Sequence, residues 1–252
     1  MWRRLRLSSL EDALVIVIAL AWPAARLNLA VGQHTAIALS QYPGDSHLSN
    51  ELQIDRYLPF LKSVLTPPRL QHSLAVMRVM AELSPIYLLD RLQAMTTGLL
   101  HDAARDLSHE EQLALAAEAE IELHDPCERH PVYLHALVGA YLVSKELRIT
   151  DRLILDAIAA HSYAGNGHNF NTPLSLSLRF ADILAPSQEW KGMTKLRSVV
   201  YARRIDEATL LHCRWVIEYF QGHRVPVHPN LTKQYQALLS KLAVTEAFFE
   251  RW

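Results

Sequence analysis

Cysteine is scarce in this 252-residue chain, with only Cys127 and Cys213 present. Two cysteines cannot build a disulfide framework, and their rarity fits a reducing compartment, so a cytoplasmic location is expected. Glycine is scarce as well, at eight residues. No glycine-rich phosphate loop, internal repeat or sustained alternation of apolar and polar residues occurs, which removes the nucleotide-binding classes that depend on such a loop and argues against a sheet. Charge of one sign is missing too. Lys and Arg number 25 against 26 Asp and Glu, so bulk charge does not draw the protein to nucleic acid. Long apolar runs are also absent. The stretch from Ala13 to Trp22 falls short of the roughly 18–20 residues a membrane span needs, so no integral span is expected.

What is abundant is apolar and helix-forming. Half of the residues are hydrophobic, enough for a well-filled all-α core. Thirteen histidines are present, so only a placed set of them carries information.

Residues 1–50 read as an N-terminal extension. Ser8-x-x-Glu11 has the form of a capping box, and Pro23 stops a helix, which favours a buried or interfacial helix. A secretion signal or a loose membrane contact are the alternatives. Tyr42-Pro43-Gly44-Asp45 marks a turn. Residues 51–222 read as the main domain, and 223–252 as a C-terminal helical segment packing on it.

Within the main domain, Pro67-Pro68 precede a core helix with Leu70, Leu74, Met77 and Ala81 on one stripe and His72 facing inward. A second helix, about 88–105, carries His101-Asp102. Ser108-x-x-Glu111 caps a third, reaching about residue 121. A fourth begins near Val132 and puts His135 on a face with Val138, Gly139 and Leu142. Thr150 or Asp151 caps a fifth, where Ile154, Ala157 and Ile158 line up with His161. A turn-rich loop over 162–173 leads to a sixth, about 174–184, bearing Asp182. Helices over about 191–202 and 206–221 follow, and Asn230 is a candidate cap for the last.

His101 and Asp102 sit in an apolar run, and buried polar groups need partners. His72, His135, His161 and Asp182 lie on similarly apolar faces. Taken singly, each has an ordinary structural explanation; Asp182, for example, could pair with Arg179 three residues earlier. Taken together, a shared metal site satisfies them all. The pattern points to a metal pair, with His72, His101 and Asp182 around one ion, His135 and His161 around the other, and Asp102 between them. Imidazole with carboxylate suits iron, manganese, cobalt or zinc more than calcium or magnesium. Candidate phosphate contacts are Arg105, Arg129, Lys191 and Lys195, and His168 could reach the site from its loop.

The ordered set resembles the HD superfamily of metal-dependent phosphohydrolases. More narrowly, Gly98-Leu-Leu-His101-Asp102-Ala-Ala-Arg105, Leu134-His135-Ala136-x-x-Gly139-Ala140 and Ala157-Ile158-x-x-His161-Ser162 with Ala181-Asp182 are similar to YqeK-type symmetrical bis(5′-nucleosyl)-tetraphosphatases. The resemblance implies an all-helical HD-domain bundle holding two transition-metal ions, iron favoured. It implies His72, His101, Asp102, His135, His161 and Asp182 as ligands, with His101, Asp102 and Arg105 catalytic. The implied reaction uses metal-activated water on a nucleotide phosphate ester or anhydride, diadenosine tetraphosphate giving two ADP. The alternative is a non-catalytic HD domain that binds a metal or nucleotide as a sensor or interaction module. The oligomeric state stays open, a homodimer included. Arg105 stands where the family has Lys, Ser162 where Thr is usual, and the acidic residue and Arg that follow Asp182 in the family are missing. These departures touch the phosphate surround more than the metal shell.

Overall fold

The structure, a computed structural model, describes residues 53–164, 170–185, 192–244 and 249. The N-terminal extension, Lys191 and His168 lie outside the described residues. All regular elements among the described residues are helical: α1 (Leu58–Val64), α2 (Pro67–Tyr87), α3 (Arg91–Leu100), α4 (His109–Glu118), a 3-10 turn (Pro126–Arg129), α5 (Pro131–Leu147), α6 (Arg152–Ala160), α7 (Pro173–Leu184), α8 (Met193–Tyr201), α9 (Ile205–Gly222) and α10 (Pro229–Leu242). No helix among them is long and apolar enough to cross a membrane.

Short polar side chains set the helix starts. Asp90 accepts from the Gln93 amide, Asp151 from Leu153 and Thr172 from Ser175. Ser108 and Glu111 form a reciprocal capping box. Pro68, Pro131, Pro173 and Pro229 lie in first turns, where a missing amide hydrogen costs nothing.

Two expected boundaries differ. The helix expected over 88–105 is α3 alone. Leu88 takes a left-handed conformation that ends α2, and Asp90 starts α3 afresh. At its far end the chain tightens into turns, with the Ala103 amide donating to the Leu100 carbonyl and the Arg105 amide to Asp102. The His-Asp pair thus sits where a helix ends rather than within one. The last helix is capped by His228, not Asn230: His228 Nδ1 accepts from the Asn230 amide at 3.1 Å.

Helix α2 packs along both α3 and α7, α5 packs on α4 and α6, and α6 touches α3 and α7. The approach of α2 to α3 is close at one point. A β-carbon on Gly98 would lie 2.9 Å from Met80 Cγ and 3.0 Å from Met77 Cα. Helix α10 packs on α9, and its Leu231, Tyr235 and Leu238 join the core that holds Leu61, Leu99 and Tyr133. The start of α10 is tied down by a buried pair, His228 Nε2 to Glu128 Oε1 at 2.9 Å, and by Tyr133, whose hydroxyl donates to the Pro226 carbonyl.

Candidate metal centre

Five elements bring one side chain or two to a common point. His72 comes from α2, His101 and Asp102 from the end of α3, His135 from α5, His161 from the end of α6 and Asp182 from α7. His101 is fully buried and Asp102 nearly so, between the buried pairs Leu99-Leu100 and Ala103-Ala104. Asp182 is the most open of the six, with its side chain 40% exposed.

Asp102 is the centre. Its Oδ1 lies 3.2 Å from His135 Nε2 and 3.8 Å from His161 Nε2. Its Oδ2 lies 3.5 Å from His101 Nε2 and 3.9 Å from His72 Nε2. Asp182 Oδ1 closes the second side, 2.9 Å from His72 Nε2 and 3.7 Å from His101 Nε2. Donor atoms therefore gather in two triads, His72–His101–Asp102 and Asp102–His135–His161, each within 4.8 Å. One carboxylate serves both, an oxygen to each.

The main chain orients the rings. His101 Nδ1 is 2.8 Å from the Gly98 carbonyl, His135 Nδ1 3.0 Å from Pro131 and His161 Nδ1 2.6 Å from Ile158. A ring that donates through Nδ1 presents the Nε2 lone pair, the form a metal needs. Buried His101 Nε2 has no hydrogen-bond partner among the described residues. That orphaned atom, facing two carboxylates and backed by further imidazoles, fits a divalent transition-metal cation.

The electrostatics agree. Burial alone would raise the Asp102 carboxyl, but His101, His135 and His161 outweigh it and hold it well below the usual range. Burial also raises Asp182, and His101 and His72 outweigh that. Burial pushes the His101 imidazole down, yet Asp102 and Asp182 bring it up to about 9. His161 is driven down to about 3 by burial and then by His135 and His101. His135 is lowered as well, burial first.

The centre opens into a cavity of about 430 Å³. Arg69 and Arg105 line it beside the six residues, and Tyr163, Val216, Tyr219 and Phe220 form an apolar wall. Of the expected phosphate contacts, Arg105 is on this cavity; Arg129 and Lys195 are not among its lining residues. Arg129 ends the 3-10 turn and borders a separate depression with Leu113 and Glu120, while Lys195 projects from α8. Asp182 does not take Arg179 as an ion-pair partner at the expected spacing. Arg179 is buried, stacks on the Tyr163 ring at 4.7 Å and donates to the Phe170 carbonyl.

Sequence reading missed Arg69, whose Nη1 donates to Asp102 Oδ2 at 3.0 Å. The signal was its position three residues before His72 on α2, which places both on one face. It also missed His212, 140 residues beyond His72, which lines the cavity and whose Nδ1 lies 2.9 Å from the Tyr163 hydroxyl.

Imidazoles and carboxylates gathered in paired triads inside an all-helical bundle define a helical metal-centre protein. The HD-domain family model matches residues 69–210. The chain is 28% identical over 183 residues to a symmetrical bis(5′-nucleosyl)-tetraphosphatase of Bacillus subtilis (strain 168), covering 73% of this chain and 96% of that one. It is 27% identical over 182 residues to the protein of that name from Halalkalibacterium halodurans, covering 72% and 95%. A crystal structure of a predicted HD superfamily hydrolase involved in NAD metabolism, from Clostridium acetobutylicum, is similar with a TM-score of 0.66 at 28% identity, covering 74% of this chain and 97% of that one. The chain belongs to the HD-domain family of metal-dependent phosphohydrolases.

Proposed function

We propose that the chain hydrolyses a nucleotide phosphate anhydride, with diadenosine tetraphosphate the leading substrate. The observation that carries this reading is the shared Asp102, central to two donor triads on the floor of a cavity lined by two arginines. The activity for which the Bacillus relative is named supports the substrate. Symmetrical cleavage consumes one water. The water oxygen bonds to one of the two central phosphorus atoms, the bridging oxygen leaves with the other, and two ADP result.

In this reading His72, His101 and Asp182 would hold one cation and His135 and His161 the other, with Asp102 serving both triads. Two such ions, when bound, acidify a water and offset charge on phosphoryl oxygens. Iron is the leading metal, with manganese, cobalt and zinc compatible with the same donors. Arg105 binds phosphate oxygens, and Arg69 orients Asp102 while facing the same anion. His101 and Asp102 fix the reacting end through their place in the floor. The wall of Tyr163, Val216, Tyr219 and Phe220 offers a base an aromatic and aliphatic surface. Residues 51–222 are assigned to the HD domain and 223–252 to a C-terminal segment, with 1–50 an N-terminal extension in sequence. The scarcity of cysteine supports the cytoplasm as the place of action.

The test is elemental analysis of the purified protein followed by a nucleotide hydrolysis screen with iron, manganese and cobalt. We expect one to two transition ions per chain, metal-dependent release of ADP, and loss of both metal and activity in the His101→Ala/Asp102→Ala double variant. Protein that takes up no metal sinks the proposal. Nucleotide-dependent thermal stabilisation without turnover would make it a sensor instead.

A further inference from the structure

Seven non-glycine residues among those described take a positive φ. Six of them, Leu88, Glu120, Arg148, Arg203, Arg224 and Ala243, are exposed and lie just past helix ends. The seventh, Tyr163 at φ 68°, is buried and stands two residues after His161. A bulky side chain is strained in this region, and it persists there only where its surroundings fix it from several sides. Here they do. The Tyr163 hydroxyl meets His212 Nδ1 at 2.9 Å, the Arg179 guanidinium lies 4.7 Å from its ring centre, and the Phe170 ring lies alongside. The Tyr163 carbonyl accepts from Asn230 Nδ2 at 3.2 Å.

Asn230 belongs to α10, beyond residue 210, where the HD-domain match ends. The same stretch of chain reaches the other histidine of that triad. The Tyr133 hydroxyl donates to the Pro226 carbonyl at 2.6 Å and accepts from the His228 amide at 3.0 Å. Tyr133 precedes His135 by two residues on α5. Ser162 Oγ donates to the Tyr133 carbonyl at 3.2 Å and so joins the two places directly. The stretch itself is pinned by the buried His228–Glu128 pair. Residues 226–230 therefore grip the chain just before His135 and just after His161, the two imidazoles that face Asp102 Oδ1.

We infer that Asn230 and Tyr163 are positioning residues for the cation of the Asp102–His135–His161 triad, with residues 226–230 as its clasp. A tyrosine released from the clasp returns to negative φ, and His161 turns with the corner on which it stands. The His72–His101–Asp102 triad is built from α2 and the end of α3 and does not pass through this corner. Loss of the clasp thus separates the behaviour of the two ions. The inference rests on the proposed ligand set.

Zinc titration of the metal-free, full-length chain against a chromophoric chelator reads the two ions. Wild type is compared with Tyr163→Ala, Tyr163→Gly and Asn230→Ala. Both Tyr163 variants lose the ring, but only alanine brings a β-carbon to positive φ, which glycine takes freely. We expect one zinc ion to bind about tenfold more weakly in Tyr163→Ala than in Tyr163→Gly. We expect the same ion to bind about tenfold more weakly in Asn230→Ala than in wild type, with the other ion unchanged in each comparison. Asn230 is half-buried at the start of α10, so its variant carries the test where a Tyr163 variant does not fold. Equal affinities for alanine and glycine overturn the inference, as does an Asn230→Ala protein in which both ions weaken alike or neither does. A wild type that takes up fewer than two zinc ions instead overturns the ligand set, and the inference with it.

Discussion

His72 and Asp182, 110 residues apart in the chain, meet with Nε2 2.9 Å from Oδ1. That contact joins α2 to α7 across the mouth of the centre, and Asp182 is the carboxylate most open to solvent. Asp182→Asn keeps the shape and removes the charge. Partners outside the ligand shell already cost 10–100-fold when lost, so removal of a ligand should lower activity by at least about 100-fold. Elemental analysis of the variant should show less metal per chain while the fold, read by circular dichroism, is unchanged.

Gly98 lies where α3 touches α2, and its carbonyl accepts from His101 Nδ1. Gly98→Ala drives a methyl into Met77 and Met80. Overpacking of this kind costs about 1–3 kcal/mol, and thermal melts should show a lowered midpoint. The backbone of Met77 cannot yield as a flexible side chain would, so α3 must shift and metal binding should weaken with it.

Stability of the metal-free protein should depend on pH in two opposed ways. The His101 pKa, about 9 against an ordinary 6.5, is raised by folding. Its contribution is complete below about pH 6.5 and is lost as pH rises through about 9. His161 and His212, both at about 3 mainly through burial, contribute above about pH 6.5, and that stability is lost as pH falls toward 3. The melting temperature in the presence of a chelator should peak near pH 6.5. Metal affinity should instead rise from pH 6.5 toward 9, because ligation must displace the His101 proton.

Arg69→Ala removes a guanidinium contact to Asp102 and leaves its buried carboxylate less compensated. Arg69 is one-third exposed, which tempers the loss to about 1–2 kcal/mol in the metal-free protein. Zinc should erase most of that difference, since the cation takes over the compensation. Paired melts with and without zinc test this, and an equal deficit in both would contradict it.

Arg129→Ala and Lys195→Ala should leave KM for nucleotide within about twofold of wild type, as expected of side chains away from the site. Arg105→Ala should raise it. Steady-state kinetics on the three variants separates the cavity cation from the other two.

The sequence carried the helices well because their signals are local. Ser108 with Glu111 announces a cap, and Ile154, Ala157 and Ile158 announce a face. It carried the histidines and carboxylates because polar residues on apolar faces demand partners. It misplaced the end of α3 because the tightening after Leu100 answers to packing against α2 and α5, not to any breaker in the sequence. It could not sort cations, since Arg105, Arg129 and Lys195 look alike until the fold turns each to its own surface. His212 was invisible as a site neighbour for the same reason, and Arg179 was read only as a partner for Asp182: their meeting with Tyr163 is made by α7 and α9.

His101 and His161 are not only side chains at the centre; each is the residue that closes its helix, α3 and α6. The carbonyl ends of two helices therefore converge on the same ground. Each macrodipole places roughly half a negative charge there. This field belongs to the backbone and survives every side-chain substitution. It draws cations and repels phosphate in the bare protein, so the polypeptide itself imposes an order of arrival, metal before substrate.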